Sequence, residues 1–376
     1  MNMGTPEYSD IFQIVFVVED LEETLSAWIE YVDFNTATIK RTSTREMTEQ
    51  GVKVKSVYKG NQAQCFVKTA RFSLGGMDFR FVEPENKAGG DPYSDFLAGI
   101  GPGMHHLCIG VADREEMTTK YKSLGYPVYA EYVHGDISGA LFDFREEMGL
   151  ILEVSDKTTG PLAPQAVNRK CSSEMRSIRS LDSKKKDTDR HNSNTDKVKL
   201  KLDLVCQVAL AVKDIEKAVK SYGILVGLDE NECKWSNSLE QIRDGTLTPQ
   251  IYNGIKREYS YRQVNFPFGG MDIELLSPVA DSPSDPFHDF LDSCGPGIHH
   301  LNIRLANREE GIGFIKEKLG IGALLDCYSY GRHCAYFDMR KELGLILEVG
   351  SRVVGPRSLM SDDELAAIIY DDMIEE

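Results

Sequence analysis

Four polar residues interrupt apolar strand patterns in the C-terminal half of this 376-residue sequence. They are Gln207 in QVALAV, Glu274 in MDIELL, His300 in HLNIRL and Glu348 in LILEV. Side chains alternate between the two faces of a strand, so each polar group points away from the face that its apolar neighbours share. If these strands line one concave sheet, an amide, two carboxylates and an imidazole can converge on one point.

This donor set suits one divalent metal ion, with Zn²⁺, Co²⁺, Ni²⁺, Mn²⁺ and Mg²⁺ as candidates, because all accept nitrogen and oxygen ligands. Two carboxylates balance the charge of such an ion, and the remaining positions leave room for a chelating substrate. A single strand Glu usually faces water, and a single strand His is usually structural. Four such residues on one predicted face favour a metal site.

The same pattern occurs 194 or 195 positions earlier, at Gln13, Arg80, His106 and Glu153. Three residue types are kept, but Arg80 replaces a carboxylate and brings positive charge to the place of the cation. We therefore expect no metal in this pocket. Arg80 should pair with Glu153 or bind an anion.

A long internal repeat explains this spacing. GPGMHHLCIGVADREE at 101–116 returns as GPGIHHLNIRLANREE at 295–310, and FDFREEMGLILEV at 142–154 returns as FDMRKELGLILEV at 337–349. The chain is predicted to hold two copies of one domain, at 1–160 and 202–356.

Each copy shows a finer pattern in which a strand is followed by an amphipathic helix and then by shorter strands with Gly-rich turns. The helices are predicted at 21–31, 114–124, 215–223 and 308–319. The fold is therefore α+β, with four β-α-β-β-β units that pair into two domains, because one unit leaves its sheet half covered.

The remaining segments differ in composition. The segment 161–201 is predicted to be a basic flexible linker, because its stretch from 165 to 201 holds eleven Lys/Arg, five Asp/Glu and no aromatic residue. The segment 357–376 is predicted to be an acidic helix. The chain as a whole has a net charge of −16, which argues against nucleic acid or an anionic membrane as a partner.

Location follows from two further features. No stretch approaches the roughly 18 to 20 apolar residues of a membrane span, and the N-terminus has no apolar signal core. The eight cysteines form no Cys-x-x-Cys pair, and several lie in apolar runs, which indicates reduced thiols. We expect a cytoplasmic protein, a monomer or a homodimer, that acts on a small molecule.

Other polar residues lie near the predicted site. Asn302 and Arg304 share the face of His300 and are predicted to contact substrate, although a solvent-exposed structural role suits Arg304 equally. His105 and His299 point to the opposite face and are interpreted as structural. Two histidines in predicted loops could reach the site but are interpreted as structural, and these are His134 and His333.

The repeated units and their polar residues resemble the vicinal oxygen chelate superfamily, which includes glyoxalases, methylmalonyl-CoA epimerases, type I extradiol dioxygenases and antibiotic-resistance proteins. The GPGxHHL segment with the ELLSP and LILEV strands looks most like methylmalonyl-CoA epimerase. The resemblance covers each copy and implies a U-shaped sheet around one metal. It implies that the metal ligands of the second copy are Gln207, Glu274, His300 and Glu348.

One departure from the epimerase pattern separates the possible reactions. Epimerases of this kind usually begin the ligand set with His, whereas Gln207 stands here and gives the order of animal-type glyoxalase I. The GPGxHH context is not glyoxalase-like, and no glutathione-binding signature is evident. Extradiol dioxygenases use two His and one carboxylate on iron, so Gln207 argues against oxygen chemistry.

The resemblance then implies a metal-dependent epimerase or isomerase that moves a proton next to a carbonyl through a metal-stabilised enolate or enediolate. Glu348 resembles the family's carboxylate base, and Glu258 is the candidate for a second acid/base. The substrate would be a keto-polyol of cyclitol type, such as an epi-valiolone, or an acyl-CoA. A two-copy chain slightly favours the cyclitol, since acyl-CoA epimerases usually have one copy. The alternatives are a non-catalytic, antibiotic-type binding protein and a glyoxalase-like lyase or ring-cleaving dioxygenase.

Overall fold

The computed structural model describes residues 8–156, 198–279 and 284–350. Most of the predicted linker and the whole predicted C-terminal helix lie outside these residues. The described residues form two similar halves, 8–156 and 202–349, so each half corresponds to one copy of the sequence repeat.

Each copy is built from ten strands and five α-helices among the described residues. The first copy contains β1 (Tyr8–Val17), α1 (Leu21–Tyr31), β2 (Lys40–Ser43), α2 (Thr44–Glu49), β3 (Val54–Tyr58), β4 (Asn61–Ala63), β5 (Val67–Leu74), β6 (Met77–Pro84), α3 (Pro92–Gly99), β7 (Gly103–Val111), α4 (Arg114–Ser123), β8 (Ala130–His134), β9 (Ile137–Phe144), α5 (Arg145–Met148) and β10 (Leu150–Asp156). The second copy contains β11 (Leu202–Ala211), α6 (Ile215–Val226), β12 (Lys234–Asn237), α7 (Ser238–Asp244), β13 (Gln250–Tyr252), β14 (Ile255–Arg257), β15 (Tyr261–Phe268), β16 (Met271–Pro278), α8 (Pro286–Cys294), β17 (Gly297–Leu305), α9 (Arg308–Gly313), β18 (Leu325–Ser329), β19 (Arg332–Met339), α10 (Arg340–Leu343) and β20 (Leu345–Val349).

The strands of each copy form one curled mixed sheet. Its order is β2-β5-β6-β1-β7-β10-β9-β8-β3-β4 in the first copy and β12-β15-β16-β11-β17-β20-β19-β18-β13-β14 in the second. The two units of each copy therefore meet twice, at β1–β7 and β3–β8 in the first copy and at β11–β17 and β13–β18 in the second. This arrangement confirms the predicted α+β class and the pairing of units. It also places the four strands that carry the polar residues, β16, β11, β17 and β20, side by side in the middle of the second sheet.

Alternation along these strands separates an apolar face from a polar one, as the sequence predicts. On β17, Leu301, Ile303 and Leu305 lie in the main hydrophobic core, while His300 and Asn302 point to the other face. The polar face is the concave face of the curled sheet.

The main hydrophobic core contains residues of both copies. Helix α1 begins at the N-cap Asp20, whose side chain accepts a hydrogen bond from the Glu23 amide, and it buries Leu21, Leu25 and Trp28. The Trp28 indole donates to the Leu343 carbonyl of the second copy over 3.1 Å. The two copies therefore stabilise each other through one shared core and are not independently packed domains.

The contacts between the copies are reciprocal. The Ile11 amide donates to the Gly269 carbonyl over 2.7 Å, and the Val205 amide donates to the Gly75 carbonyl over 3.1 Å. Gly269 has a φ of 55°, and a Cβ there would lie 2.7 Å from the Ile11 side chain. Only glycine meets both demands, because other residues are strained at positive φ and no room exists for a side chain.

The end of the predicted linker is ordered against the first copy. The Leu200 amide donates to the Tyr31 carbonyl, and the Leu200 carbonyl accepts from the Asp33 amide. The Leu200 side chain is buried in the shared core. Within the described residues, no helix has the length and apolar character needed to cross a membrane.

Candidate metal centre

Strand register places the predicted ligands of the second copy in two neighbouring rows across the sheet. In one row, Ala209 is the strand partner of both Glu274 and His300. In the next row, Asn302 is the partner of both Gln207 and Glu348. The sheet thus presents all four predicted ligands on one face within two residues along the strands.

Three of the four predicted ligands form a compact cluster. His300 Nε2 lies 3.4 Å from Glu274 Oε2 and 3.2 Å from Glu348 Oε2. All three side chains are buried, and one potential ligand atom from each lies within 4.8 Å of the others. The fourth residue, Gln207, lies in the second row, where its amide nitrogen donates to Asp272 Oδ2 over 2.9 Å.

Two polar atoms of the cluster have no hydrogen-bond partner among the described residues, and its two carboxylates act on one histidine. Burial lowers the pKa of His300, but the carboxylates of Glu274 and Glu348 outweigh it and raise this pKa to about 9. His300 is the one ion-pair partner of Glu274 among the described residues. Neither Glu274 Oε2 nor His300 Nε2 has a hydrogen-bond partner in the described part of the chain.

These observations fit a divalent cation. Buried oxygen and nitrogen atoms that face one another without hydrogen bonds are costly unless a positive ion lies among them. Two carboxylates and one imidazole are suitable first ligands for the metals named above. Glu274, His300 and Glu348 could therefore hold the ion, and Gln207 is close enough in register to add its amide oxygen.

Metal binding is expected to become tighter as the pH rises toward about 9. His300 is protonated below its raised pKa of about 9, and a metal must displace this proton. The apparent affinity should therefore rise by up to about tenfold for each pH unit below that value. Zn²⁺ titrations against a competing chelator, with proton release measured by calorimetry in two buffers, will check this. An affinity that does not change with pH, with no proton released, would contradict the assignment of His300.

Tyr336 is part of the site but was not identified from the sequence. It is the strand partner of Glu348, and its half-buried ring meets the His300 ring edge-on with centroids 4.8 Å apart. The period-two pattern of β19 could have put Tyr336 on the concave face, but nothing local showed which residue it would meet.

His299 precedes His300 in the chain and contacts its ring. His299 is buried and packs edge-on against Phe287 and Phe290 of α8. Its Nδ1 lies 2.9 Å from His300 Nδ1, so it contacts the imidazole atom that faces away from the carboxylates. His105 has the same relation to His106 in the first copy.

The remaining predicted site residues lie at different places around the cluster. Asn302 is buried between Gln207 and Glu348 in the second row. Arg304 Nε donates to Asp203 over 2.8 Å, so its charge is already paired. Glu258 is exposed between β14 and β15 and lies outside the cluster.

The prediction that His134 and His333 lie in loops is wrong. His134 ends β8, and His333 lies in β19. Both ring nitrogens of His333 have partners outside the cluster, because its Nε2 lies 3.0 Å from Asp326 Oδ1 and its Nδ1 lies 3.3 Å from Arg308 Nη2.

In the first copy, a guanidinium group occupies the centre of the corresponding cluster. Arg80 Nη2 lies 2.7 Å from Glu153 Oε2, 3.2 Å from His106 Nε2 and 3.9 Å from Cys108 Sγ. His106, Cys108 and Glu153 are also the three residues there that could otherwise group around a metal. The predicted pairing of Arg80 with Glu153 is therefore present, and the arginine nitrogen stands among the potential ligands.

The first-copy carboxylate is fully satisfied. Glu153 Oε2 accepts a hydrogen bond from Arg80 Nη2 and lies 2.9 Å from His106 Nε2. Glu153 Oε1 accepts a hydrogen bond from the Tyr132 hydroxyl over 2.7 Å. Burial raises the pKa of Glu153, but these partners outweigh it and hold the pKa far below its usual range. The two copies thus differ in charge, because an arginine and a histidine face one carboxylate in the first copy and one histidine faces two carboxylates in the second.

Sequence comparison now identifies the family. The profile of the Glyoxalase/Bleomycin resistance protein/Dioxygenase superfamily matches residues 12–142 and 206–318, which together make up more than half of the chain. The chain belongs to this superfamily. Its members are mostly metal-dependent enzymes and include epimerases, lyases and dioxygenases.

Two solved structures align with nearly the whole chain at low sequence identity. A triple mutant of 4-hydroxymandelate synthase from Streptomyces coelicolor aligns with 98% of this chain and 100% of its own, at 12% identity and a TM-score of 0.46. A xylose isomerase-like TIM barrel/4-hydroxyphenylpyruvate dioxygenase fusion protein aligns with 98% of this chain and 53% of its own, at 10% identity and a TM-score of 0.42. No curated protein matches the chain.

Proposed function

We propose that the second copy is the active site of a metal-dependent epimerase or isomerase that moves a proton next to a carbonyl group. The observation that carries this proposal is the buried cluster of Glu274, His300 and Glu348, in which Glu274 Oε2 and His300 Nε2 have no hydrogen-bond partner within the described residues. A bound divalent ion would polarise neighbouring substrate oxygens and lower the energy of the negative charge that forms when the proton leaves.

The position of each protein group in the sheet indicates the role that it would have in the reaction. Glu274 and His300 share one row with Ala209 between them, so they are suited to hold the ion at a fixed point. Gln207 donates its amide nitrogen to Asp272, which leaves its amide oxygen as the group available for a cation. Glu348 is our proposed base, because a carboxylate beside the ion can take the substrate proton over a short distance.

Return of the proton from the opposite side requires a second group. We assign this role to Glu258, which directly precedes Tyr259, a residue of the apolar cluster on the concave face that also contains Tyr261 and Ala209. Glu258 is exposed, so it would act at the rim of the site. Asn302 is the buried amide nearest in register to Glu348 and would hydrogen-bond the substrate, with Arg304 farther along the same strand face.

The proposed substrate is a keto-polyol of cyclitol type or an acyl-CoA, and the proposed location is the cytoplasm, where the seven described cysteines would stay free. Ring-cleaving oxygen chemistry receives less support, because the described cluster contains one histidine and the two-histidine iron site needs another. A glyoxalase-like lyase would use the same ligand order and remains the nearest alternative reaction. A binding protein without catalysis is the alternative of another class.

Removal of one carboxylate from the cluster tests the site directly. We expect Glu274→Ala and Glu348→Ala to lose the one tightly held metal ion per chain, since each removes a charged ligand. Glu258→Ala serves as the control and should keep the ion while slowing proton transfer. Metal content by mass spectrometry and folding by circular dichroism will report both properties. Wild-type metal content in both cluster variants would refute the proposed site.

Solvent deuterium tests the reaction. Keto-polyols and acyl-CoAs incubated with the metal-loaded enzyme in D₂O should gain deuterium at the carbon next to the carbonyl, and Glu348→Gln should lower this rate by at least about 10²-fold. Oxygen consumption in place of deuterium uptake would support a dioxygenase. Tight substrate binding without either would support the binding protein.

A further inference from the structure

The pocket on the concave face of the first copy contains buried nitrogen atoms that nothing in the described chain satisfies. They are Gln13 Nε2, Arg80 Nε and His134 Nε2. Gln13 is 2% exposed, so water cannot readily replace the missing partner. An amide NH₂ and a guanidinium N–H only donate, so the missing partner of these groups must be an acceptor.

These donors belong to one pocket. Gln13 lies on β1 and Arg80 on the neighbouring β6, two residues along in register. The Cys108 thiol links them, because its Sγ lies 3.7 Å from Gln13 Oε1 and 3.9 Å from Arg80 Nη2. His134 stacks beside Tyr132, whose hydroxyl donates to Glu153 within the same cluster.

A second guanidinium lies beside the first. Arg71 on β5 is the direct strand partner of Arg80 on β6. Its neighbours Ala70 and Phe72 belong to the core, so alternation puts Arg71 on the concave face with Arg80. Like charges directly opposite in a sheet repel. Glu153 compensates Arg80 through its Nη2, and Asp78 is the carboxylate that favours the charged form of Arg71.

The second copy shows what these positions look like without that charge. Asn265 is the strand partner of Glu274, so Arg71 and Arg80 replace an amide and a carboxylate. The amide nitrogen also differs, because Gln207 donates to Asp272 whereas Asp78, the strand partner of Gln13, accepts from Ser73. The same framework is therefore changed from a cluster of acceptors into a cluster of donors.

The carboxylates in the first pocket are already engaged and would not compete for these donors. Glu153 accepts from Arg80 and Tyr132, and Asp78 accepts from Ser73. Burial lowers the pKa of His134 to about 4, so this residue is neutral near pH 7 and can donate one N–H. Of the unmatched groups, Gln13 Nε2 and Arg80 Nε can only donate, and His134 Nε2 donates or accepts according to its tautomer.

We propose that the first copy binds a small carboxylate-bearing molecule, held by Arg71, the Nε edge of Arg80 and the Gln13 amide. A carboxylate fits better than a phosphate because its two coplanar oxygens match the planar edge of a guanidinium group. The Gln13 amide nitrogen and Arg80 Nε lack acceptors, and a carboxylate supplies two acceptor oxygens. This site is separate from the proposed metal centre and does not depend on it.

The test uses the full-length protein with its metal removed by a chelator, so that carboxylates cannot bind to an ion in the second copy. Acetate and benzoate are the probes, followed by calorimetry or saturation-transfer NMR, with inorganic phosphate in parallel. We expect saturable binding of a carboxylate. Arg71→Asn, which installs the residue type of Asn265, should weaken it by about tenfold to a hundredfold through loss of a charge-assisted contact.

Two further variants make the outcome decisive. Asn265→Ala alters the matched position of the second copy and should leave carboxylate binding unchanged, and Arg71→Lys should retain part of the affinity because it keeps the charge. Thermal melting will confirm that Arg71→Asn is folded. Absence of saturable carboxylate binding, equal binding by wild type and Arg71→Asn, or binding of phosphate alone would each overturn the proposal. The metal content of Arg71→Asn should equal that of the wild type, so failure here leaves the proposed function untouched.

Discussion

Glu153→Ala is expected to lower the free energy of unfolding by about 3–5 kcal/mol, because it leaves the Arg80 guanidinium in the interior without its counter-ion. The Glu153 side chain is 2% exposed and that of Arg80 is 17% exposed, so solvent cannot restore the lost interaction. The substitution also removes the acceptor of the Tyr132 hydroxyl. Urea denaturation in the presence of a chelator will measure the change.

The second copy provides the matched control. Glu348→Ala should leave the stability of the metal-free protein unchanged or raise it, because Glu348 and Glu274 are carboxylates that face one histidine. Equal losses of stability in the two variants would show that the copies do not differ in charge compensation.

The pH dependence of stability has a definite sign. The pKa of Glu153 is lowered in the folded protein, so its contribution is present above the ordinary glutamate pKa and is lost as the pH falls below it. Wild type and Glu153→Ala should therefore converge in stability under acid conditions. A constant difference between them down to low pH would contradict the assigned ion pair.

Strand alternation and the repeat predicted much of the fold and of the site. The polar face of β17 follows from Leu301 and Ile303, and the pairing of units follows from a sheet that one unit leaves half covered. Helix α1 begins and ends where the pattern of Leu21 and Tyr31 predicts. These features depend on short-range periodicity, which a single sequence contains.

The register between distant strands could not be predicted. The β11–β17 pairing shifts between Val205 and Gln207 and again between Ala209 and Leu210. These irregularities set Gln207 beside Asn302 and leave Ala209 beside His300, which puts Gln207 in the second row. Asp272 and Tyr336 join the site through the same long-range pairing, so local spacing gave no sign of them.

Only the first part of the fourth predicted helix is a regular α-helix. It was expected over 308–319, whereas α9 ends at Gly313 and a π-helical turn covers Phe314–Lys318. Gly311 and Gly313 weaken the helix, and Gly311 packs so closely that an added Cβ would lie 2.8 Å from the Leu305 side chain. Packing onto the core thus overrode the amphipathic pattern.

Arg80→Glu is expected to raise the number of tightly bound divalent ions from one to two per chain. It removes the cation that now stands among the first-copy ligands and supplies the carboxylate that Glu274 provides in the second copy. The first copy would then have the same set of residue types as the second copy. This set consists of Gln13, the new carboxylate, His106 and Glu153. Metal content per chain and titration with Zn²⁺ will measure the change.

Charge decides whether the new site forms. Without metal, Arg80→Glu places two carboxylates in a buried pocket and should destabilise the protein by several kcal/mol. Added metal should reverse this loss, by about 2.7 kcal/mol when its free concentration is 100 times the Kd. Arg80→Gln is the control, because it removes the guanidinium without adding a charge and should not acquire a tightly bound ion. If Arg80→Glu also bound one ion per chain, the arginine would not be what keeps metal out of the first copy, and Cys108, which stands where the second copy has Asn302, would be the residue to exchange next.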